Sequence, residues 1–199
     1  MGKTPAYYKT NYDRKFEPGK GLPMISTDLD SVRAYQFEIH FEGLPSDIVG
    51  ATDLTLAAKK VTGMELASEP IPVDRVNDKV YYPGKVTPGD LVVTFDNLYL
   101  KETASDLWRY FKHTYDPLTG EMTKSSQPGG GAGSTFKANK VEIVQLDNTM
   151  NPHSTVELYG VYPSKWSAGE FNYATNQFHT IEVTFKYDFI NQFNYSNPG

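Results

Sequence analysis

From Ile181 to Phe189 the chain alternates without a break. Ile181, Val183, Phe185, Tyr187 and Phe189 fall on one side, and Glu182, Thr184, Lys186 and Asp188 on the other. A helix would scatter this pattern around its circumference, whereas a strand with one dry and one wet face requires it. A second run, from Val156, precedes it across a loop carrying Gly160, Pro163 and Gly169, with Asn176 just before the second strand. The same pattern recurs far upstream. Tyr35, Phe37, Ile39 and Phe41 alternate with Gln36, Glu38, His40 and Glu42 until Gly43 and Pro45 break the run. Two distant strands of this kind call for sheets packed through their apolar faces.

The remaining segments fit that frame. Lys79 to Tyr82 reads as a short strand stopped by Pro83-Gly84, and Leu91 to Leu100 as another, entered from Pro88-Gly89-Asp90. Lys137 to Asp147 is a third, with Val141, Ile143, Val144 and Leu146. Asp53 to Gly63 is compatible with helix or strand, and the reading is extended from Lys60 to Ser68. One good helix is predicted over about 103–115. Thr103 is its expected N-cap, Asp106 stands three residues on, and Leu107, Trp108, Phe111 and Tyr115 lie on one face. The expected class is mainly β, an antiparallel sandwich or barrel with one packed helix. Its predicted organisation is an extended arm over 1–30, a β domain over 31–192 with a flexible glycine-rich loop at 125–135, and a polar tail over 193–199.

Composition narrows the chemistry. With 199 residues, 39% of them hydrophobic and 22% charged, the chain can bury a real core. There is no cysteine, which removes disulfides, thiol catalysis and cysteine-zinc sites. A net charge of -5 argues against gripping nucleic-acid phosphates, which needs clustered Lys and Arg, but not against letting DNA slide past. No apolar run approaches a membrane span, and the basic start has no apolar segment behind it, so the expectation is a soluble protein made in the cytoplasm.

Candidate motifs resolve to structure. The run GGGAGST lacks the Gly-Lys-Ser/Thr ending of a phosphate loop and reads as a tether. His40, His113, His153 and His179 are scattered and have no partners at ligand spacing. The pair Asp28 and Asp30 lacks the glycine and distal glutamate of a calcium loop. No nucleophile elbow is present. No catalytic residue, metal or cofactor is expected. Trp108 is assigned to the helix–sheet interface. Trp166, placed in the loop from Pro163 to Gly169, is assigned together with Tyr7, Tyr8 and Tyr12 of the arm to contacts with a neighbouring subunit.

The terminal hairpin, with its Gly-x-x-Pro turn, Asn176 and Val183-Thr184-Phe185-x-Tyr187-Asp188 ending, resembles the tail tube proteins of contractile-tailed bacteriophages. So does the middle segment EPIPVDRVNDKVYYPGKVTPGDLVVTF, with the helix and the strand that follow it, and the likeness runs from about Arg33 to Ile190. The arm and the glycine-rich loop depart from it. The resemblance implies a structural subunit of stacked six-membered rings whose inner sheets close into a continuous barrel around a DNA conduit. Implied partners are further copies of the chain, the contractile sheath, the tape measure and the baseplate, and the implied location is the virion tail. On that reading the polar-face carboxylates Glu38, Glu42, Glu182 and Asp188 are candidates to line the lumen. A baseplate or tube-initiating protein, and the tube of a contractile injection system, are alternatives of the same fold. A carbohydrate-binding module, which predicts exposed aromatics in a planar row and a stable monomer, is a more distant one. An enzyme on a sandwich fold ranks last.

Overall fold

A computed structural model describes residues 32–45, 48, 51–122, 136–174 and 176–194. The arm over 1–30 with Tyr7, Tyr8 and Tyr12, the loop at 125–135 and the last five residues lie outside the described part. In chain order the elements are β1 (Phe37–Glu42), α1 (Ala51–Ala57), β2 (Ala58–Thr62), β3 (Leu66–Ser68), β4 (Ile71–Asp74), β5 (Lys79–Tyr82), β6 (Val86–Pro88) and β7 (Leu91–Asp96). They continue with α2 (Thr103–Lys112), β8 (Ala138–Leu146), β9 (Pro152–Ser167), β10 (Thr180–Lys186) and β11 (Phe189–Asn194). The architecture is mainly β and antiparallel, as the alternation predicts, with a second short helix beside the expected one.

The sixteen-residue strand β9 belongs to two sheets. Its first half pairs with β8 and β11, and β8 pairs with β1, giving the order β1-β8-β9-β11. Its second half pairs with β10, followed by β7 and β2. Gly160 marks the handover. Its φ of 68° turns the strand at small steric cost, between Tyr159, which pairs with β11, and Tyr162, which pairs with β10.

The core fills the space between the two sheets. Phe41 from the first sheet lies 6.2 Å, ring centre to ring centre, from both Phe95 and Phe185 of the second. Ile39, Val141, Leu158, Val93, Ile181 and Val183 surround them and are almost wholly buried. Alternation in β10 holds through Tyr187 and then fails. Asp188 bends the chain into β11, so Phe189 is exposed while Ile190 packs on the core. The expected nine-residue face is therefore two strands in different sheets.

Helix α2 starts at Thr103, but Thr103 is not its cap. Glu102 holds that place in the left-handed region at φ 48° with no side-chain capping bond, and Thr103 is buried inside the first turn. Its buried face comprises Thr103, Asp106, Leu107 and Tyr110. Trp108 and Phe111 stack at its margin with ring centres 5.9 Å apart, and Tyr115 lies beyond the helix end, exposed. The buried hydroxyl of Tyr110 donates to the Val161 carbonyl at 2.6 Å and accepts from the Ala138 amide at 3.1 Å. It fills the fork where β8 leaves β9. Burial pushes this phenol well above its ordinary value, against the opposing effect of the Ala138 amide.

Strands β3 to β6 join neither sheet. They pair with each other, β3 with β6 and β4 with β5, to form an antiparallel arm over 63–89 with its turn at Arg75–Asp78. Gly63 sits at its base with φ 102°, where a Cβ would come within 1.8 Å of the Asp90 carbonyl oxygen.

Candidate assembly surfaces

The outward face of the first sheet is a set of cross-strand rows. In one row Glu42, Lys140, Tyr159 and Phe189 are neighbours, and in the next His40, Glu142, Glu157 and Asn191. Lys140 is the hub. Its Nζ lies 2.5 Å from Glu142, 3.4 Å from Glu42 and 3.6 Å from Glu157. The hydrogen bond to Glu142 raises the ammonium above the usual lysine range despite partial burial. Burial pushes Glu157 up, but hydrogen bonds from Tyr159 and Asn191, with Lys140 close by, outweigh it and hold the carboxyl below its ordinary range. His40 Nε2 lies 3.2 Å from Glu38 at the open end of this face.

The outward face of the second sheet differs. Lys60, Thr94, Glu182 and Ser167 share one row, and Thr62, Val92, Thr184 and Lys165 the next. Lys59 pairs with Asp96, and Lys186 with Asp90. Threonine and lysine dominate where the first sheet shows glutamate.

The four carboxylates singled out in the sequence therefore separate. Glu38 and Glu42 stand together on β1, and Glu182 stands on the other sheet. Asp188 lies between β10 and β11, where Lys137 meets it at 2.8 Å. Trp166 lies in strand β9, not in a loop. It packs against the core edge 5.0 Å from Trp108, and its indole Nε1 is buried with no partner among the described residues. Periodicity alone had no means of showing this, because β9 runs straight through the glycine and proline that read as a break.

Two exposed apolar regions escaped the sequence reading. The arm presents Leu66, Ile71, Val73, Val76, Tyr81, Tyr82 and Val86 to solvent. The segment after β9 presents Phe171, Tyr173 and Phe178 around a cleft of about 530 Å³, with Phe171 stacked on the His179 ring at 4.4 Å. Alternation inside the arm signals strands, but a free-standing arm and a buried sheet share that signal. Among the described residues no group of three or more His, Cys, Asp or Glu could hold a metal ion, and no helix is long and apolar enough to cross a membrane.

Known proteins share this arrangement. No curated protein matches the sequence. Solved structures do. A chain of the sheath–tube complex of an extracellular contractile injection system in its extended state superposes with a TM-score of 0.61 at 13% identity, covering 86% of this chain and 99% of that one. A chain from the baseplate of the anti-feeding prophage gives 0.61 at 16% identity, covering 82% and 96%. One from that prophage's tube-terminating cap gives 0.60 at 9%, covering 83% and 93%. These similarities establish the fold. The family model for the T4-like virus tail tube protein gp19 matches residues 33–191, from the approach to β1 into β11, and the chain belongs to that family.

Proposed function

We propose that this chain is the repeating subunit of a phage tail tube, assembling as six-membered rings that stack into a conduit through which DNA leaves the capsid. The observation that carries the reading is the family match across the whole β domain, from residue 33 to 191. The molecule also has the surfaces a tube subunit needs. Among the described residues β1, β2 and β11 each have a strand on one side only, the outward faces are polar, and an apolar arm stands away from the core.

The sheath and baseplate are its partners in the virion tail, with a tape measure in the lumen before DNA passes. The sheath–tube and baseplate assemblies among the similar structures support these two contacts. The role is structural. Glu38 and Glu42, which stand together on β1, are proposed as lumen carboxylates, and Tyr7, Tyr8, Tyr12 and Trp166 as contacts between subunits; Glu182 stands on the other sheet and Asp188 against Lys137, so neither shares that face. DNA then slides without being held, because binding phosphate requires a cationic surface that releases counterions.

The test is electron microscopy of purified protein at high concentration, alone and seeded with baseplates. Rings or tubes with a central hole are expected. A monomer under both conditions would end the reading and return weight to a binding module. Growth of a single ring without further stacking would identify a cap or initiator instead.

A further inference from the structure

We infer that the aromatic cleft between β9 and β10 is the seat for residues 3–16 of a second copy of this chain. The second copy is the neighbour that the proposed tube supplies, so the inference rests on the tube reading. Residues 3–16 lie outside the family match, which begins at residue 33, so nothing in that match accounts for them.

The cleft is a built feature. Phe178 and His179 form one wall, tied to the end of β7. The Asn97 backbone amide donates to the His179 carbonyl at 3.0 Å, and the Asn97 side-chain nitrogen lies 3.2 Å from His179 Nδ1. Phe171 stacks on the His179 ring with centres 4.4 Å apart. The facing loop is pinned as well. Gly169, at φ 76°, turns it so tightly that a Cβ there would come within 2.1 Å of the Thr180 carbonyl oxygen. The Asn172 side chain donates to Glu170 Oε1 at 3.1 Å and accepts from the Ala174 amide at 2.9 Å. Phe171, Tyr173 and Phe178 nonetheless stay exposed around about 530 Å³, the size of a ligand cleft. Aromatic faces with the Glu170 carboxylate at their rim suit a guest that brings both rings and cations.

Residues 3–16 have that chemistry. Tyr7, Tyr8, Tyr12 and Phe16 are interleaved with Lys3, Lys9, Arg14 and Lys15, against the single acid Asp13, in a chain whose net charge is -5. The arm over 63–89 is a poorer guest. It is a paired ribbon, and its Arg75, Lys79 and Lys85 are outnumbered by Glu65, Glu69, Asp74 and Asp78.

Topology decides whose cleft is filled. Phe37 pairs with Gln145, and Gln145 with Ser154, so the chain enters β1 beside the first residues of β9. The cleft follows Ser167, the last residue of β9, roughly 40 Å farther along that strand. Entry point and cleft therefore sit at opposite ends of β9, and head-to-tail copies bring one against the other. Residues 17–32 can span at most roughly 50 Å, enough to cross between adjoining copies. Such a contact is heterologous and repeats along an open stack.

The natural absence of cysteine allows the contact to be trapped. Two single variants, Tyr8→Cys and Tyr173→Cys, are mixed, concentrated and oxidised. A disulfide-linked heterodimer is expected, since only contact between copies can join the two. Adding Phe171→Ala and Phe178→Ala to the Tyr173→Cys chain should lower its yield at least about tenfold. Both side chains are exposed, so the monomer's thermal midpoint should not move. A yield that the alanines leave unchanged would overturn the cleft as the seat. A link within one chain in the double variant Tyr8→Cys with Tyr173→Cys, and none in the mixture, would overturn the second copy as the partner. Linkage of Tyr173→Cys to Val76→Cys in place of Tyr8→Cys would give the cleft to the 63–89 arm and overturn the proposal. Rings without the heterodimer would overturn the docking and leave the tube reading standing. The heterodimer without rings, alone or seeded, would uphold the docking and end the tube reading. Neither rings nor heterodimer would overturn both.

Discussion

The two sheets and the arm are both antiparallel and both rich in Val, Ile and Tyr, yet they bury these side chains in opposite degree. Leu91, Val93, Phe95 and Phe185 are fully enclosed, whereas Ile71, Val73, Tyr81 and Val86 stand in solvent within a ribbon only two strands wide. A ribbon of that width is marginal without something to pack on, since three or more strands or a helix are needed for independent stability. The sheets are built to fold, and on the tube reading the arm is proposed to meet a partner. Apolar content alone does not distinguish these roles. What does is whether the topology supplies a second layer.

The sharpest break of this contrast is Phe185→Ala, which empties the centre of the core where Phe41 and Tyr110 converge. A loss of about 3–5 kcal/mol is expected in urea unfolding, enough to consume much of the stability of an ordinary domain. Tyr110→Phe keeps the ring and removes the hydroxyl, leaving the Ala138 amide and Val161 carbonyl unpaired at the fork, at a cost of about 2 kcal/mol. The same residue has an alkaline signature. Its folded pKa lies above the ordinary 10.0, so the unfolded chain gives up this proton first as pH rises. Wild-type stability should therefore fall as pH climbs past 10.0, and Tyr110→Phe should show a shallower fall.

Glu157→Gln acts at the other end of the scale. The depressed pKa of Glu157 contributes stability that is present above its unfolded value of 4.5 and lost as pH falls through the folded value. The variant should unfold about 1 kcal/mol more easily at neutral pH and lose its difference from wild type in acid, as thermal midpoints across that range would show. The smallest effect on folding belongs to the arm. Ile71→Ser with Tyr81→Ser should move the monomer's midpoint by less than about 0.5 kcal/mol while reducing tube length severalfold in micrographs. A large loss of monomer stability would refute the division of labour between arm and core.

Much of this was legible in advance. Alternation located β1, β8 and β10, and the proline-glycine turns located the boundaries of β5 and β7. The helix was found from spacing, but its buried tyrosine was not. Tyr110 lies between Trp108 and Phe111 in sequence, and a face drawn through Leu107, Trp108, Phe111 and Tyr115 is turned away from the buried one through Thr103, Asp106, Leu107 and Tyr110. The failure at Phe189 has a different cause. Period two continues through a bend when the following strand begins in register, so one pattern covered two strands in different sheets. The pairing of Asp188 with Lys137, which sits at that bend, spans fifty-one residues, and no local pattern reports such a contact. Which carboxylates share a face was equally hidden, because a strand shows its own parity but not its neighbours.

The continuity of β9 has a mechanical consequence. At about 3.3 Å per residue its sixteen residues span roughly 50 Å, and both sheets hang from this one segment of backbone. A push delivered to either sheet is carried to the other through covalent bonds instead of through side-chain contacts that can slip. Gly160, with its positive φ, is one joint in that beam, and the ladder also slips a residue at His153 and at Ser164. On the proposed tube reading, each subunit would pass thrust from sheet to sheet along this one backbone segment.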